Sequence, residues 1–396
     1  MTNPFTQMAA ITMMNLRNLR ERKTSSMVAV IGIAGVVAIL VGVLSMREGF
    51  RAALDLSGSK DVAIIMRAGA NSEMSSGLSL EQTRLIADAK AVAHKDGKPV
   101  ASPELYVVVD VPTRSTGTSA NVPFRGVGPM AADLRQHFKI IAGRMFTPGK
   151  FEVIVGRGAA SQFSGLEVGK QVHWGNINWD VVGEFTDAGG VSESEIWTDA
   201  SVLQGAYNRG TSYQSVRVKL TSLAAMRSLK DELTTNPQLN VRVLSESDYY
   251  SEQSRALSIM VTSVGYAVAI LMGLGAIFSA LNTMYSAISA RTREIATLRA
   301  VGFGKLPVVI SVLSESMMLG LIGGIIGCVV AYLGFNGIRA STLNFSSFSQ
   351  ITFAFTVTPV LLKNGLIYAL ILAFIGGLMP GIRASNMPIV SGLREL

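Results

Sequence analysis

Four long apolar runs interrupt an otherwise mixed chain. Thr24 to Met46 holds no charged residue, and a run of that length can cross a bilayer as a helix. A second uncharged stretch separates Arg255 from Arg291. At ~1.5 Å per residue it outruns a ~30 Å hydrocarbon core. Its first turns, with Ser254 and Ser258, are therefore expected to project past the lipid as a stalk. The third and fourth runs cover roughly Leu306 to Phe335 and Leu361 to Ile382.

Residues 47–254 lack such a run and carry other periodicities. Ser79 to Ala93 has a Ser/Glu start and places Leu80, Leu85, Ile86 and Ala89 on one helical face. Leu105–Val111, Glu152–Val155 and Trp179–Val182 are β-rich. Tyr213–Leu220 alternates apolar and polar as a strand does, and Leu223–Leu233 is again helical. Trp174 and Trp179, on either side of a Gly-Asn turn, predict the packing face of a hairpin. The fold class expected is a membrane protein with four transmembrane α-helices and a large α+β extracytoplasmic domain inserted between helices 1 and 2.

Lys and Arg set the expected orientation. Arg17 to Lys23, Arg291 to Lys305, and Arg383 with Arg394 fall on one side, while the Phe335–Leu361 loop holds only Arg339. Positive flanks face the cytoplasm, so both termini and the Arg291–Lys305 loop are expected there. The chain divides into a cytoplasmic amphipathic segment (1–23), a first span (24–46), the extracytoplasmic domain (47–254), and a stalk with the second span (255–290). A cytoplasmic helix (291–305), a third span (306–335), an extracytoplasmic loop (336–360), a fourth span (361–382) and a cytoplasmic tail (383–396) follow. The basic residues before the first run resemble a signal-peptide n-region. The run is longer than an h-region of about 7–15 residues and continues into Ser45-Met46-Arg47-Glu48, so it reads as an uncleaved anchor.

Composition agrees with the membrane class: 49% of residues are hydrophobic and 16% charged. The net charge of +8 does not point to nucleic acid, because the basic residues flank apolar runs instead of forming a stripe. Cys328, the single cysteine, excludes an intrachain disulfide. Gly149-Lys150, Gly169-Lys170 and Gly304-Lys305 lack the spacing and the following Ser or Thr of a nucleotide-binding P-loop. His94, His137 and His173 show no metal-ligand spacing. Asp187 and the Glu193/Glu195 pair, in a Gly/Ser-rich stretch, read as a solvated loop. No catalytic, cofactor-binding or metal site is expected.

Between the second and third spans lies Arg291-Thr292-Arg293-Glu294-Ile295-Ala296-Thr297-Leu298-Arg299-Ala300-Val301-Gly302. On a helix, Ile295, Leu298 and Val301 or Gly302 share a face, with Arg293, Glu294 and Arg299 on others. That face suits a groove on a cytoplasmic partner, and equally the lipid interface. The third span carries two overlapping GxxxG pairs, Gly320/Gly324 and Gly323/Gly327, which permit close helix contact within the chain or with a second copy. Glu315, near its start, suits either an ion pair with Arg291 or Arg299 or a carboxylate still reaching water.

The run Arg293–Gly302, Glu315 and the Gly320–Gly327 stretch together resemble the FtsX/MacB-like permeases of mechanotransmitting (type VII) ABC systems. Gly143–Phe146, Val153–Gly156 with Ala159-Ala160, Leu166–Gly169 and Trp179–Gly183 are similar to that family's extracytoplasmic core, and Pro380–Leu393 to its tail. Gly169-Lys170 and Pro380-Gly381 depart from the usual Gly-Asp and Pro-Ala, which touches only loop details. The resemblance implies a dimer, with a second copy or a paralogue, bound to two copies of a separate ABC ATPase. That subunit uses the ATP and Mg; this chain would bind no cofactor. Arg291, Arg293, Glu294, Ile295, Leu298, Arg299, Val301 and Gly302 would form the ATPase-coupling helix. The location implied is the bacterial inner membrane, with the large domain periplasmic. The implied function is export or extraction of an amphiphile, peptide or lipoprotein, with or without a periplasmic adaptor or outer-membrane component. The alternative is an FtsX-like, non-transporting regulator of a cell-envelope enzyme or a ligand sensor.

Overall fold

The computed structural model describes residues 23–344 and 349–389. The amphipathic segment expected over 1–23 lies outside them except for Lys23, as does the end of the tail, 390–396.

In chain order the elements begin with α1 (Lys23–Ser57), β1 (Val62–Arg67), α2 (Leu80–Ala87), the short β2 (His94–Lys95) and β3 (Lys98–Pro99), β4 (Ala101–Pro112) and β5 (Ser119–Val127). Next come β6 (Lys139–Gly143), β7 (Glu152–Gly156), α3 (Arg157–Gln162), β8 (Gln171–Trp174), β9 (Ile177–Thr186), β10 (Ile196–Asp199) and α4 (Ala200–Ala206). They are followed by β11 (Ser215–Lys219), α5 (Ala225–Thr235), β12 (Val241–Ser245), α6 (Glu246–Ser289), α7 (Thr292–Ala300) and α8 (Lys305–Phe335). The last three are β13 (Arg339–Asn344), β14 (Ser349–Ala354) and α9 (Pro359–Asn386). These elements form two compact units. One comprises Met1–Glu48, Met260–Ile338 and Thr356–Leu396; the other comprises Gly49–Ile259 and Arg339–Phe355.

In the helical unit, α1, α6, α8 and α9 are each long and apolar enough to span a bilayer. The helices start where local chemistry favours it: Thr358 accepts from Leu361 N at 3.3 Å and Pro359 occupies the first turn of α9. Helix α6 runs 44 residues without a break, about 66 Å at ~1.5 Å per residue. Packing relies on small residues and polar caps, as suits helices that gain little from burying apolar surface in lipid. The two GxxxG pairs serve different neighbours. A Cβ on Gly320 or Gly324 would meet Ala373 Cβ at 2.3 Å or Ala369 Cβ at 2.8 Å, both on α9. One on Gly323 or Gly327 would meet the α1 carbonyls of Val30 at 2.9 Å or Ala34 at 2.6 Å. Both pairs therefore pack within this chain. Ser316 Oγ donates to Ala373 O at 2.6 Å, and Tyr368 OH donates to Ala269 O at 2.6 Å.

The second unit is built on one sheet in the order β12-β1-β11-β4-β5-β10-β7-β9-β6, with β8 paired to β9. The β8–β9 hairpin places Trp174 and Trp179 in the core against Phe124, at ring distances of 5.4 and 4.9 Å, as their spacing predicts. A second core lies under α2 and α5. Ser79 and Gln82 form a capping box at the start of α2, but the helix stops at Ala87, not Ala93. There the chain joins the sheet instead: Ala93 N donates to Lys219 O at 2.8 Å and Thr221 N to Ala91 O at 3.0 Å. Backbone groups buried beside a strand take sheet partners in preference to continuing a helix.

Residues 336–360, expected as a loop, contain the β13–β14 hairpin, which belongs to the sheet unit. Thr352 N donates a 2.8 Å hydrogen bond to Ser194 Oγ, Phe353 packs edge-on against Phe50 at 5.5 Å, and Ile351 and Phe353 are buried.

Candidate functional site

The charged stretch after α6 forms the separate helix α7. The turn at Arg291 interrupts the long helix, and Thr292 Oγ1 donates back to Ser289 O at 3.0 Å. Gly302 closes α7 at φ +106°, a conformation that side chains resist. From there Gly302 N donates to Arg299 O and Phe303 N to Leu298 O, each at 3.1 Å. These bonds satisfy carbonyls that the helix end leaves open.

Ile295 and Leu298, the expected docking face, turn toward the helices of their own unit. Ile295 packs on the cluster of Met284, Ile288, Val308 and Val312, and both residues line a cleft of about 470 Å³ that also holds Arg291 and Glu315. The face left exposed carries Arg293, Glu294, Thr297, Ala300 and Val301, with Val301 75% exposed. The periodicity identified a two-sided helix but not which side its own bundle covers. Arg291 Nη1 lies 3.4 Å from Glu315 Oε2, with both side chains buried. Arg299 Nη1 instead donates to Met387 O at 2.9 Å. Of the two partners that the sequence allowed for Glu315, the structure brings Arg291 to it.

A second concentration of charge went unread in the sequence. Arg125 on β5 is buried and forks between Glu195, at 2.7 and 2.8 Å, and Glu73, at 2.8 and 2.9 Å, while also reaching Glu104 at 2.9 Å. Arg217 on β11, fully buried, touches Glu104, Glu73 and Glu246. Arg135 adds a 2.9 Å contact to Glu104. The solvated loop expected around Asp187, Glu193 and Glu195 is not present. All three are buried, and the Glu193 carboxylate accepts from Asp187 N and Gly189 N at 2.8 Å. A Gly/Ser-rich composition indicated irregular backbone correctly but hid the guanidinium that Glu195 meets across the sheet. A lone Arg in the apolar strand Val122–Val127 was the available signal.

Burial pushes the Glu73 and Glu104 carboxyls up, but the guanidiniums outweigh it. Arg125 and Arg217 hold Glu73 well below the carboxylate range; Arg135, Arg217 and Arg125 lower Glu104 to about 2. These folded values lie below the unfolded ~4.3. Their stabilisation is therefore complete above that value and is lost as pH falls toward the folded values. Near-UV circular dichroism of the tryptophans should show Tm falling between about pH 4 and about 2, a slope that Glu104→Gln should reduce.

His94, His137 and His173 are exposed and apart, and no cluster of potential metal ligands occurs among the described residues.

Four apolar helices joined to a large α+β unit define an integral membrane protein that carries a folded domain. A family model of the MacB-like periplasmic core domain matches residues 26–236, and one of the FtsX-like permease C-terminal region matches 266–389. The chain belongs to the FtsX/MacB-like family of ABC transporter permeases. It is similar to the macrolide export ATP-binding/permease protein MacB of Bdellovibrio bacteriovorus, 22% identical over 96% of this chain and 60% of that protein. It is also similar to the uncharacterized ABC transporter permease YvrN of Bacillus subtilis, 22% identical over 92% of this chain and 93% of the relative. The chain thus spans about 60% of the MacB relative's length. The periplasmic region of MacB from Actinobacillus actinomycetemcomitans matches with a TM-score of 0.37 at 14% identity, covering 48% of this chain and 91% of that one.

Proposed function

We propose that this chain is a permease subunit energised by a separate ABC ATPase, which docks on the exposed face of α7. ATP hydrolysis there moves a domain on the far side of the membrane. The observation that carries this reading is the construction of α7: an isolated helix between two candidate spans, fixed from behind by Ile295 and by the Arg291–Glu315 pair, with charged residues and Val301 outward. A helix clamped on one face and free on the other can transmit a push, whereas one lying loosely in lipid would absorb it.

In this reading both termini and α7 are cytoplasmic, the sheet unit is periplasmic, and α6, far longer than a bilayer needs, is the stalk. Two ATPases serve a dimer of permeases, with ATP and Mg bound on the ATPase chains. The work is done on an amphiphile, peptide or lipoprotein. A periplasmic adaptor or outer-membrane component is compatible with this arrangement.

The test is co-purification and ATPase assay in nanodiscs with the cognate ATPase. The pair Arg293→Glu with Val301→Asp should lower ATPase docking by about thirtyfold, the effect of losing ~2 kcal/mol at an interface centre, while leaving the fold's Tm unchanged. An unaltered complex, or no ATPase at all in the native preparation, would overturn the proposal.

A further inference from the structure

The buried network has one more carboxylate than it has guanidiniums. Glu73, Glu104, Glu195 and Glu246 face Arg125, Arg135 and Arg217. An uncompensated charge held away from water is strongly disfavoured, and such a group neutralises in preference to staying ionised. The partners are unevenly shared. Glu104 touches all three guanidiniums and Glu73 two of them, while Glu195 takes both forks of Arg125 and the Trp197 N–H at 2.7 Å. Among the described residues Glu246 has only Arg217 at 3.1 Å and a long 3.4 Å contact from Ser59 N.

Glu246 also has a route to water. It lines a polar cleft of about 660 Å³ formed by residues 55–60, residues 134–137 and Asp187. The charged or titratable groups there are Asp55, Lys60, Arg135, His137 and Asp187. From the remaining sides Glu246 faces Arg217 on β11 and Tyr250 one turn along its own helix. Buried Asp187, whose carboxylate takes the Ser192 hydroxyl, adds further negative charge to the cleft.

We propose that Glu246 is a proton-binding switch at the first turn of α6: protonated, it completes the charge balance of the network, and deprotonated through the cleft, it loosens the junction between β12 and α6. Burial raises the Glu246 carboxyl above its ordinary value against the pull of Arg217, Arg135 and the Ser59 amide. The helix N-terminus favours the anion as well, but it acts on a group already short of partners. The sign is opposite to that of Glu73 and Glu104. A folded value above the unfolded one gives stabilisation that is complete below the unfolded value, ~4.3, and lost as pH rises through the folded value.

The full-length protein in detergent should be titrated by infrared difference spectroscopy. The native protein should show a carboxylic acid band that survives above the pH range in which exposed carboxylates ionise, and Glu246→Gln should lack it. Hydrogen exchange over residues 246–253, corrected for the intrinsic pH dependence, should accelerate as the band disappears. The expected change is about tenfold per pKa unit of elevation, and the variant should not show it. A native protein with no such band overturns the proposal even if the variant fails to fold. So does a band that persists in Glu246→Gln, or exchange that rises equally in both proteins.

Discussion

Replacing Arg125 with methionine should lower the melting temperature of the sheet unit by about 6–20 °C. Removing one partner of a buried ion network costs ~3–5 kcal/mol, because the remaining charges stay buried without compensation. For a unit of this size each kcal/mol is worth about 2–4 °C. Glu195 suffers most, since Arg125 is the only guanidinium it meets among the described residues and the Trp197 N–H its main remaining donor. Glu73 keeps Arg217, and Glu104 keeps Arg135 and Arg217. The double variant Arg125→Met with Glu195→Gln should therefore recover part of the loss, because it removes both ends of the strongest fork. Arg144, whose pair with Glu152 leaves it largely exposed, provides the contrast: Arg144→Met should hardly move the transition. A thermal melt followed by near-UV circular dichroism decides between these outcomes. A change of under 2 °C for Arg125→Met would show that the network does not hold the sheet together.

The second large effect is expected in α8. Gly327→Leu and Gly320→Leu should each collapse detergent stability. At Gly327 even a Cβ would lie 2.6 Å from Ala34 O and 2.8 Å from Val37 Cβ; at Gly320 it would lie 2.3 Å from Ala373 Cβ. These are backbone and Cβ atoms, which cannot rotate away, so helices must separate. Overpacking typically costs ~1–3 kcal/mol, and separated helices in lipid regain nothing by burying apolar surface elsewhere. Gly334 lies in the same helix with nothing within 4 Å of its would-be Cβ, and Gly334→Leu should be tolerated. Monodispersity after heating, read by size-exclusion chromatography, separates a contact effect from a general effect of placing leucine in α8. Equal behaviour of the three variants would refute the packing assignment.

The parts of this fold that were legible in sequence are those governed by local physics. Uncharged runs located α1, α6, α8 and α9, because burying even one charge in a span is costly, but α1 runs on to Ser57 and α6 begins at Glu246, both well outside the uncharged stretches. Period-two alternation found β11, and the paired tryptophans found the β8–β9 hairpin. What escaped was decided by distant partners. Arg217 sits in an alternating strand whose polar positions read as solvent-facing, yet Ser215 to Val218 are all buried, because the sheet is covered there on both sides. Its carboxylates come from Glu73, Glu104 and Glu246, up to 144 residues away. No window-based pattern contains that pairing. Helix α7 shows the same limit in miniature. Its two faces were visible, but only the packing of Ile295 on Met284 and Val308 determines which one remains exposed.

The β13–β14 hairpin makes the sheet unit discontinuous in the gene. A fragment encoding 49–259 alone would be missing 17 residues, Arg339–Phe355, and would bare the seat that Ile351 and Phe353 fill beside Phe50 and Ser194. Such a fragment would expose a sticky apolar notch to its neighbours. A soluble version of this domain should therefore carry the hairpin back in, spliced through a short linker, and grafting the domain onto another permease would require exchanging two separate stretches of coding sequence together.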